Sequence, residues 1–209
     1  MYLLTPLNFI LSFDSSLRIP FYNDCQKYSL FPQAKNFEKH WKEIKQESLN
    51  LLKCCRSQNY LDDIKYEIDT VNWDCIPIKY FDFKNYEYIT KCPILDILLN
   101  DNKISSCFVS RMSPGKVLKT HTNPFDGTLR YQLALEIPHG DAHLEVDGQQ
   151  YLWKEGESLM FDGTYPHSAL NNTSKDRIVL LIDVKRNYNF FGFKILNELF
   201  IKTLGFLRP

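Results

Sequence analysis

Residues 128–137 have the sequence Thr-Leu-Arg-Tyr-Gln-Leu-Ala-Leu-Glu-Ile, and this stretch decides the fold class. Every odd-numbered position is apolar or aromatic, whereas Arg130, Gln132 and Glu136 occupy even-numbered positions. Because successive side chains of a strand point to opposite faces, the alternation predicts a β-strand with one apolar and one polar face. Two interpretations of the polar face stay open at this point. It lies either in solvent or inside a barrel that holds an anionic ligand.

Short runs of β-branched and aromatic residues continue on both sides of this strand, separated by turn residues such as Ser113-Pro114-Gly115 and Asp147-Gly148. Asp-Gly between two apolar runs is typical of a tight β-hairpin. The pattern predicts eight strands, near 104–111, 117–121, 128–137, 143–147, 149–153, 158–162, 167–171 and 177–185. Eight short antiparallel strands at this spacing favour a mainly β fold, a double-stranded β-helix of the jelly-roll or cupin-like kind.

The N-terminal part of the chain predicts helices that pack on this barrel. Residues 1–35 contain three prolines, the first at Pro6, and are expected to be irregular, whereas 58–91 show no clear pattern. Two helices are predicted between and after them, at 36–57 with Asn36 as N-cap and at 93–100 with Pro93 in the first turn.

The C-terminal segment 188–207 predicts an amphipathic helix. Lys194, Glu198 and Lys202 recur every four residues and form a polar stripe on an otherwise apolar segment. Such a helix either packs against the barrel or contacts a membrane surface or a lipid substrate. We therefore expect one structural domain in three parts: an N-terminal extension at 1–102, a jelly-roll core at 103–187 and the C-terminal helix at 188–209.

Composition limits the partners and the location. The 209 residues include 25 Lys+Arg and 25 Asp+Glu, so the net charge is zero and no nucleic-acid partner is expected. The six cysteines form no CxxC pair, which indicates reduced thiols in a cytosolic chain rather than a zinc site. The apolar stretch 3–13 is too short to span a bilayer. We expect a cytoplasmic protein, or one that is peripheral at the inner face of the membrane.

Two of the five histidines are placed for chemistry. His121 and His167 each lie at the boundary of a predicted strand, where a jelly roll opens its mouth. The other three, His40, His139 and His143, are expected in solvent or in ordinary packing.

Arg177 is a further candidate because it begins the strongly apolar run 178–182. An arginine in this position indicates either a solvent-facing strand end or a buried carboxylate partner. The second interpretation fits a barrel whose polar interior includes the even-numbered face of 128–137.

Several motifs carry a resemblance to a known family. The segment 121–135 (HTNPFDGTLRYQLAL), the segments 146–153 (VDGQQYLW) and 161–167 (FDGTYPH), and then Arg177 and Asp183 follow one another in order. They resemble the signatures of the aspartyl/asparaginyl β-hydroxylase family. Within it, the segment 4–8 (LTPLN), together with short matches at 20–21, 41–44 and 92–93, is similar to the bacterial lipid A 2-hydroxylases.

The resemblance implies an iron(II)- and 2-oxoglutarate-dependent dioxygenase. It implies that His121 and His167 are the two histidine ligands of the iron, and that Arg177 pairs with the distal carboxylate of 2-oxoglutarate. It further implies that Ser110 and Arg130 belong to the pocket for this co-substrate. The implied partners are 2-oxoglutarate, O2 and an acyl lipid.

Three positions depart from the family pattern. Asn123 stands where related lipid hydroxylases have an aspartate ligand, so it is either a weak neutral ligand or none. Gly163 replaces an acidic residue four positions before His167, although Asp162 beside it is kept. Gln132 stands where histidine is frequent, and its amide can still donate to a co-substrate carboxylate. An open metal position could also admit chloride, which would suit halogenation.

Three functions follow from these residues. The first is hydroxylation of a fatty-acyl chain on a lipid, of the lipid A kind. The second is the same chemistry on an Asp or Asn side chain of a peptide, or on an amino acid. The third is a non-catalytic jelly-roll binding protein whose metal site has decayed through Asn123 and Gly163.

Overall fold

The computed structural model describes residues 4–14, 16–54 and 73–206, and its centre is a pair of antiparallel sheets. The strands are β1 Phe21–Tyr22, β2 Trp73–Tyr80, β3 Phe83–Lys84, β4 Ile104–Met112, β5 Lys116–His121, β6 Thr128–Glu136, β7 Asp141–Val146, β8 Gln149–Leu152, β9 Ser158–Phe161, β10 His167–Asn172 and β11 Arg177–Lys185. The larger sheet has the order β1-β9-β6-β11-β4-β2-β3, and the smaller one has the order β5-β10-β7-β8. All eight predicted strands form, and the mainly β jelly-roll fold is confirmed.

The hairpin between β7 and β8 shows how turn chemistry sets the strand register. Asp147 and Gly148 both have positive φ, 49° and 74° respectively. A two-residue turn that needs φ > 0 at both positions favours Asp-Gly, because glycine has no Cβ to clash there. The turn places Val146 opposite Gln149.

The two faces of β6 pack into different cores. Leu129, Tyr131, Leu133 and Leu135 join a cluster with buried side chains of the helices. Ala134, on the other face, joins a cluster that combines residues of both sheets. The even-numbered face of β6 therefore points between the sheets, and the interpretation of this face as barrel interior is correct.

The helices are α1 Leu4–Leu11, α2 Asp24–Leu30, α3 Ala34–Lys39, α4 Trp41–Cys54, α5 Tyr86–Ile89, α6 Pro93–Leu98 and α7 Phe191–Phe206. The prediction that 1–35 is irregular is wrong. Pro6 lies in the first turn of α1, where its missing N–H has no intrahelical acceptor to lose. Helix α2 has a capping box, in which the Asn23 side chain accepts from Gln26 N–H and the Gln26 side chain accepts from Asn23 N–H.

The single helix predicted at 36–57 is also wrong. The chain forms two helices with a break at His40, whose φ of −101° and ψ of 21° depart from helical values. Gln33, not Asn36, occupies the N-cap position of α3. Residues 55–57 of the prediction lie outside the described residues. The short helix that begins at Pro93 is confirmed.

Strand β2 had no counterpart among the predicted elements. It pairs with β4 along its length, with an irregularity between Pro77 and Lys79. A proline within a strand lacks the N–H of the ladder and is tolerated at bulges, so it hides the strand from pattern analysis.

Helix α7 packs one face against the barrel and leaves the other exposed. Asn197 and Ile201 are buried, and the Asn197 side chain donates to Gly127 O at 2.9 Å. In the described parts of the chain, no helix is both long and apolar enough to cross a membrane.

Candidate functional site

The two sequence-predicted histidines meet across the smaller sheet. His121 at the end of β5 is the direct pairing partner of His167 at the start of β10. Their ring centroids lie 4.2 Å apart. The strand pairing therefore brings two imidazoles together from positions 46 residues apart in the sequence.

A backbone carbonyl orients each imidazole. Nδ1 of His121 lies 2.9 Å from Lys119 O, and Nδ1 of His167 lies 2.9 Å from Tyr165 O. A carbonyl oxygen only accepts, so each Nδ1 carries the proton and donates it. Each Nε2 then keeps its lone pair, the arrangement that metal-binding histidines adopt.

Burial keeps both rings neutral. It lowers the pKa of His167 to about 3, with a further contribution from His121 beside it. Burial also lowers the pKa of His121, and the Arg130 guanidinium lowers it further. Neutral imidazoles can bind a metal ion across the physiological pH range without competition from protons. No cluster of three His, Cys, Asp or Glu side chains with metal-binding geometry occurs at 4–14, 16–54 or 73–206.

Three side chains of the larger sheet point into the same inter-sheet space. Ser110, Gln132 and Arg177 each lie two residues before a member of the inter-sheet cluster, namely Met112, Ala134 and Val179. His167 stands in the same relation to Ala169 on the opposite sheet. Because the strand period is two, all four side chains share this interior.

Arg177 is the most unusual group of the interior. It is 4% exposed, and its Nε and Nη1 have no hydrogen-bond partner among the described residues. Burial lowers its pKa to about 10. Its guanidinium carbon lies 5.5 Å from the centroid of the Trp153 ring, a cation–π distance. A buried guanidinium that lacks a carboxylate partner presents unused N–H donors as a binding edge.

Neighbouring polar atoms add to this binding edge. The Trp73 indole N–H donates to Ser110 Oγ at 2.9 Å and so orients the hydroxyl. Gln132 Oε1 is buried without a partner among the described residues. Trp73 and Trp153 were not predicted as site residues, since nothing in the sequence indicated contact with Ser110 or Arg177.

Arg130, also predicted for the site, already has a carboxylate partner. Its Nε donates to Asp183 Oδ1 at 2.7 Å, across the pairing of β6 with β11. Asp183, the last residue of the family motifs, thus orients Arg130 beside the histidines.

Two of the three departures from the family pattern, Asn123 and Gly163, touch each other. Asn123 N–H donates to Gly163 O at 2.7 Å. A Cβ added to Gly163 would lie 2.7 Å from Asn123 Cγ and closer still to Nδ2, distances that real Cβ atoms essentially never show. The Asn123 amide therefore occupies the space that a side chain at 163 would need. The two residues form one packing unit between the loop after His121 and the loop before His167.

A buried charge network supports both loops. Arg186 Nη2 donates to Asp162 Oδ2 at 2.8 Å, and Arg186 Nε donates to Asp126 O at 2.8 Å. Arg18 adds an ion pair with Asp126 at 2.6 Å. Asp162 Oδ1 also accepts from the backbone N–H and the hydroxyl of Thr164, so both Asp162 oxygens are engaged in hydrogen bonds.

The sequence was compared with known proteins. Residues 38–187 match the sequence profile described as Aspartyl/Asparaginyl beta-hydroxylase.

The chain belongs to that family.

Family membership, predicted from the motifs, is thus confirmed. An ornithine lipid ester-linked acyl 2-hydroxylase from Rhizobium tropici is 31% identical over 160 residues, which cover 73% of this chain and 57% of that protein. The aspartyl/asparaginyl beta-hydroxylase of Mus musculus is 25% identical over 157 residues, 72% of this chain and 21% of that protein. The chain therefore spans little more than half of the first relative and about a fifth of the second.

Solved structures show a general likeness only. The Cupin_2 domain of an XRE-family transcriptional regulator from Enterobacter cloacae matches with a TM-score of 0.40 and 15% identity, over 56% of this chain and 99% of that one.

Asn171 has a structural role near the site. Asn171 is fully buried, and its Nδ2 donates to Met112 O, Ser113 O and Lys175 O at 2.8–3.1 Å. These bonds tie the turn before β11 to the end of β4. They hold Arg177, which pairs with Met112, at the rim of the inter-sheet space.

Proposed function

We propose that this family member is an iron(II)- and 2-oxoglutarate-dependent dioxygenase that hydroxylates an unactivated carbon in a fatty-acyl chain of a lipid. The observation that carries the proposal is the buried guanidinium of Arg177, whose Nε and Nη1 have no partner among the described residues. It shares the inter-sheet space with the two histidines. A dicarboxylate that reaches from the histidine pair to Arg177 would supply the missing acceptor.

The histidine pair fits iron(II). His121 and His167 would hold the metal through Nε2, since Nδ1 of each is engaged with a carbonyl. Imidazole nitrogens suit iron, and two protein ligands leave positions for the co-substrate and for O2. When bound, iron(II) supplies the oxidation of a C–H bond by O2, coupled to conversion of 2-oxoglutarate into succinate and carbon dioxide.

The protein side chains position the reactants. Arg177 would bind the distal carboxylate of 2-oxoglutarate with two N–H donors, and its rigid fork sets the direction of the ligand. Ser110 would donate to the same carboxylate, while its bond from Trp73 holds the hydroxyl in place. Gln132 would donate through its amide N–H. Arg130, oriented by Asp183, would add positive charge beside the co-substrate.

The proposed substrate class is an acyl lipid. The printed activity of the R. tropici relative, 2-hydroxylation of an ester-linked acyl chain, supports this choice. Lipid A belongs to this class and is one of the lipids to be tested as a substrate. A peptide Asp or Asn side chain is the alternative, because other relatives are aspartyl/asparaginyl beta-hydroxylases.

Succinate formation tests the cofactors, and lipid mass spectrometry tests the substrate. Purified protein with iron(II), 2-oxoglutarate and O2 should form succinate, and His167→Ala should not. His143→Ala is the matched control, because His143 lies on the adjacent strand β7 and bonds Asp141 instead of facing His121. Full succinate formation by His167→Ala would refute the ligand assignment. Cells that express the active protein should show acyl lipids heavier by one oxygen, whereas an oxidised peptide with unchanged lipids would decide for the alternative.

A further inference from the structure

Large hydrophobic side chains are exposed mainly at the two ends of the described chain. Thirteen are strongly exposed among the described residues. Four of them lie at 9–17 and five at 190–206: Phe9, Ile10, Phe13, Leu17, Phe190, Phe191, Ile195, Leu199 and Phe206. Such a concentration marks an interaction surface, because isolated exposed apolar residues would be scattered.

Helices α1 and α7 form one surface. Leu7 and Leu11 of α1 and Ile201 of α7 belong to the same buried cluster. Asp14, just after α1, accepts from Asn189 N–H at 3.1 Å and from Phe190 N–H at 2.9 Å. These bonds fix the end of α1 beside the start of α7.

The outward face of α7 combines apolar and basic side chains. Phe191, Ile195 and Leu199 recur every four residues on the face opposite to buried Asn197 and Ile201. Lys194 and Lys202 are exposed and form no ion pair within the described residues. Glu198, the third residue of the predicted polar stripe, forms an ion pair with Lys185 at 2.9 Å.

We propose that α1 and α7 together dock on the surface of an anionic lipid bilayer. Phenylalanine and leucine side chains would enter the boundary between headgroups and acyl chains, and the two lysines would contact anionic headgroups. Neither helix presents an unpaired acidic side chain that would oppose this contact: α1 contains no Asp or Glu, and the one acid of α7 is paired. This inference rests on the proposed function in so far as the membrane supplies the acyl substrate.

The bilayer fits this surface better than a second copy of the chain does. In a two-fold dimer each face meets its own image. Lys202 lies within the outward face of α7, so two such faces would bring like charges together, and the one acid of the helix, Glu198, is already paired with Lys185. An anionic bilayer instead complements the lysines while it covers the apolar side chains.

The docking face lies one loop away from the histidine pair. Asn8 of α1 donates to Pro124 O at 2.6 Å and accepts from Asp126 N–H at 3.1 Å. Asn197 of α7 donates to Gly127 O at 2.9 Å. Both helices therefore hold loop 122–127, which follows His121 directly. A protein docked through this face would have its site close to the lipid surface.

Vesicle co-sedimentation of the whole purified chain tests the proposal. Without iron or 2-oxoglutarate, the protein should bind phosphatidylcholine vesicles that contain phosphatidylglycerol, and binding should weaken with added salt. Phe9→Ser/Leu199→Ser should lower the partition coefficient at least about tenfold. Ile97→Ser/Leu152→Ser is the matched control, since both side chains are similarly exposed away from the two helices and should leave binding unchanged.

Charge variants provide the second arm. Lys194→Glu/Lys202→Glu should lower binding to the anionic vesicles at least about tenfold, whereas Lys42→Glu/Lys53→Glu on α4 should not. Equal binding by the face variants and the wild type would overturn the proposal. So would a concentration-dependent dimer in gel filtration that the face variants abolish, because the occupant would then be a second copy. Succinate formation, measured without vesicles, reports on the proposed function separately.

Discussion

Replacing Arg177 with methionine should stabilise the fold and at the same time abolish 2-oxoglutarate binding. Arg177 is buried, and two of its nitrogens, Nε and Nη1, have no hydrogen-bond partner among the described residues. Each unsatisfied buried donor costs about 1–3 kcal/mol. Burial lowers its pKa to about 10, which corresponds to a penalty of about 3 kcal/mol for the buried charge. Methionine has a similar length and no polar hydrogen.

The expected gain is smaller than this penalty. The contact of Arg177 with Trp153 contributes about 1 kcal/mol in the opposite direction, so a net gain of about 2 kcal/mol is expected for Arg177→Met. Because the folded-state pKa is depressed, the unfolded chain binds the proton more tightly. The penalty is therefore fully present at neutral pH and diminishes only above about pH 10.

Equilibrium urea unfolding without co-substrate measures the stability, and calorimetric titration with 2-oxoglutarate in the presence of manganese(II) measures binding. Arg186→Met is the matched control. Arg186 is as buried as Arg177 but is bound to Asp162 and Asp126, so its loss should cost about 3–5 kcal/mol. If Arg177→Met destabilises the protein as Arg186→Met does, Arg177 is a structural residue and the binding-edge argument fails. Retained 2-oxoglutarate affinity would refute it equally.

Three further predictions concern the neighbouring groups. Gly163→Ala should push Asn123 aside and weaken manganese(II) binding about tenfold in calorimetry. The double variant Asn123→Ala/Gly163→Ala should recover most of this loss. If the double variant binds as weakly as the single one, the Asn123 amide acts by more than packing. The wild type should lose stability as pH falls from about 6.5 to about 3, because unfolding lets His167 bind a proton that burial excludes. His167→Gln should flatten this part of a urea-derived stability profile, and parallel profiles would contradict the assignment of the shift to His167. Ser110→Ala should raise the 2-oxoglutarate KM about tenfold in the succinate assay. Trp73→Phe should raise the KM less, because the Ser110 hydroxyl stays but loses its orienting bond. An unchanged KM in Ser110→Ala would show that Ser110 does not bind the co-substrate.

Local patterns in the sequence determined much of the barrel. The alternation in 128–136 and the Asp147-Gly148 turn depend on backbone geometry within a few residues, so they predicted strand and hairpin correctly. Where a local signal was ambiguous, the prediction failed. Pro77 lies in β2 and Pro6 in α1, and neither element was predicted. Proline occurs at a β-bulge or in a first helical turn, but it is equally common in irregular chain, so its presence does not distinguish these structures.

The sequence alone also predicted the chemical groups of the candidate site, His121, His167 and Arg177, through motifs that resemble those of the family. Only the tertiary structure decided their surroundings. It paired the two imidazoles across β5 and β10 and left Arg177 buried with unused donors. It also packed Asn123 against Gly163. The physical reason is that the contacts of a side chain between the sheets come from strands that are tens of residues apart in the chain. A local sequence pattern carries no information on which of these side chains meet when the two sheets pack together.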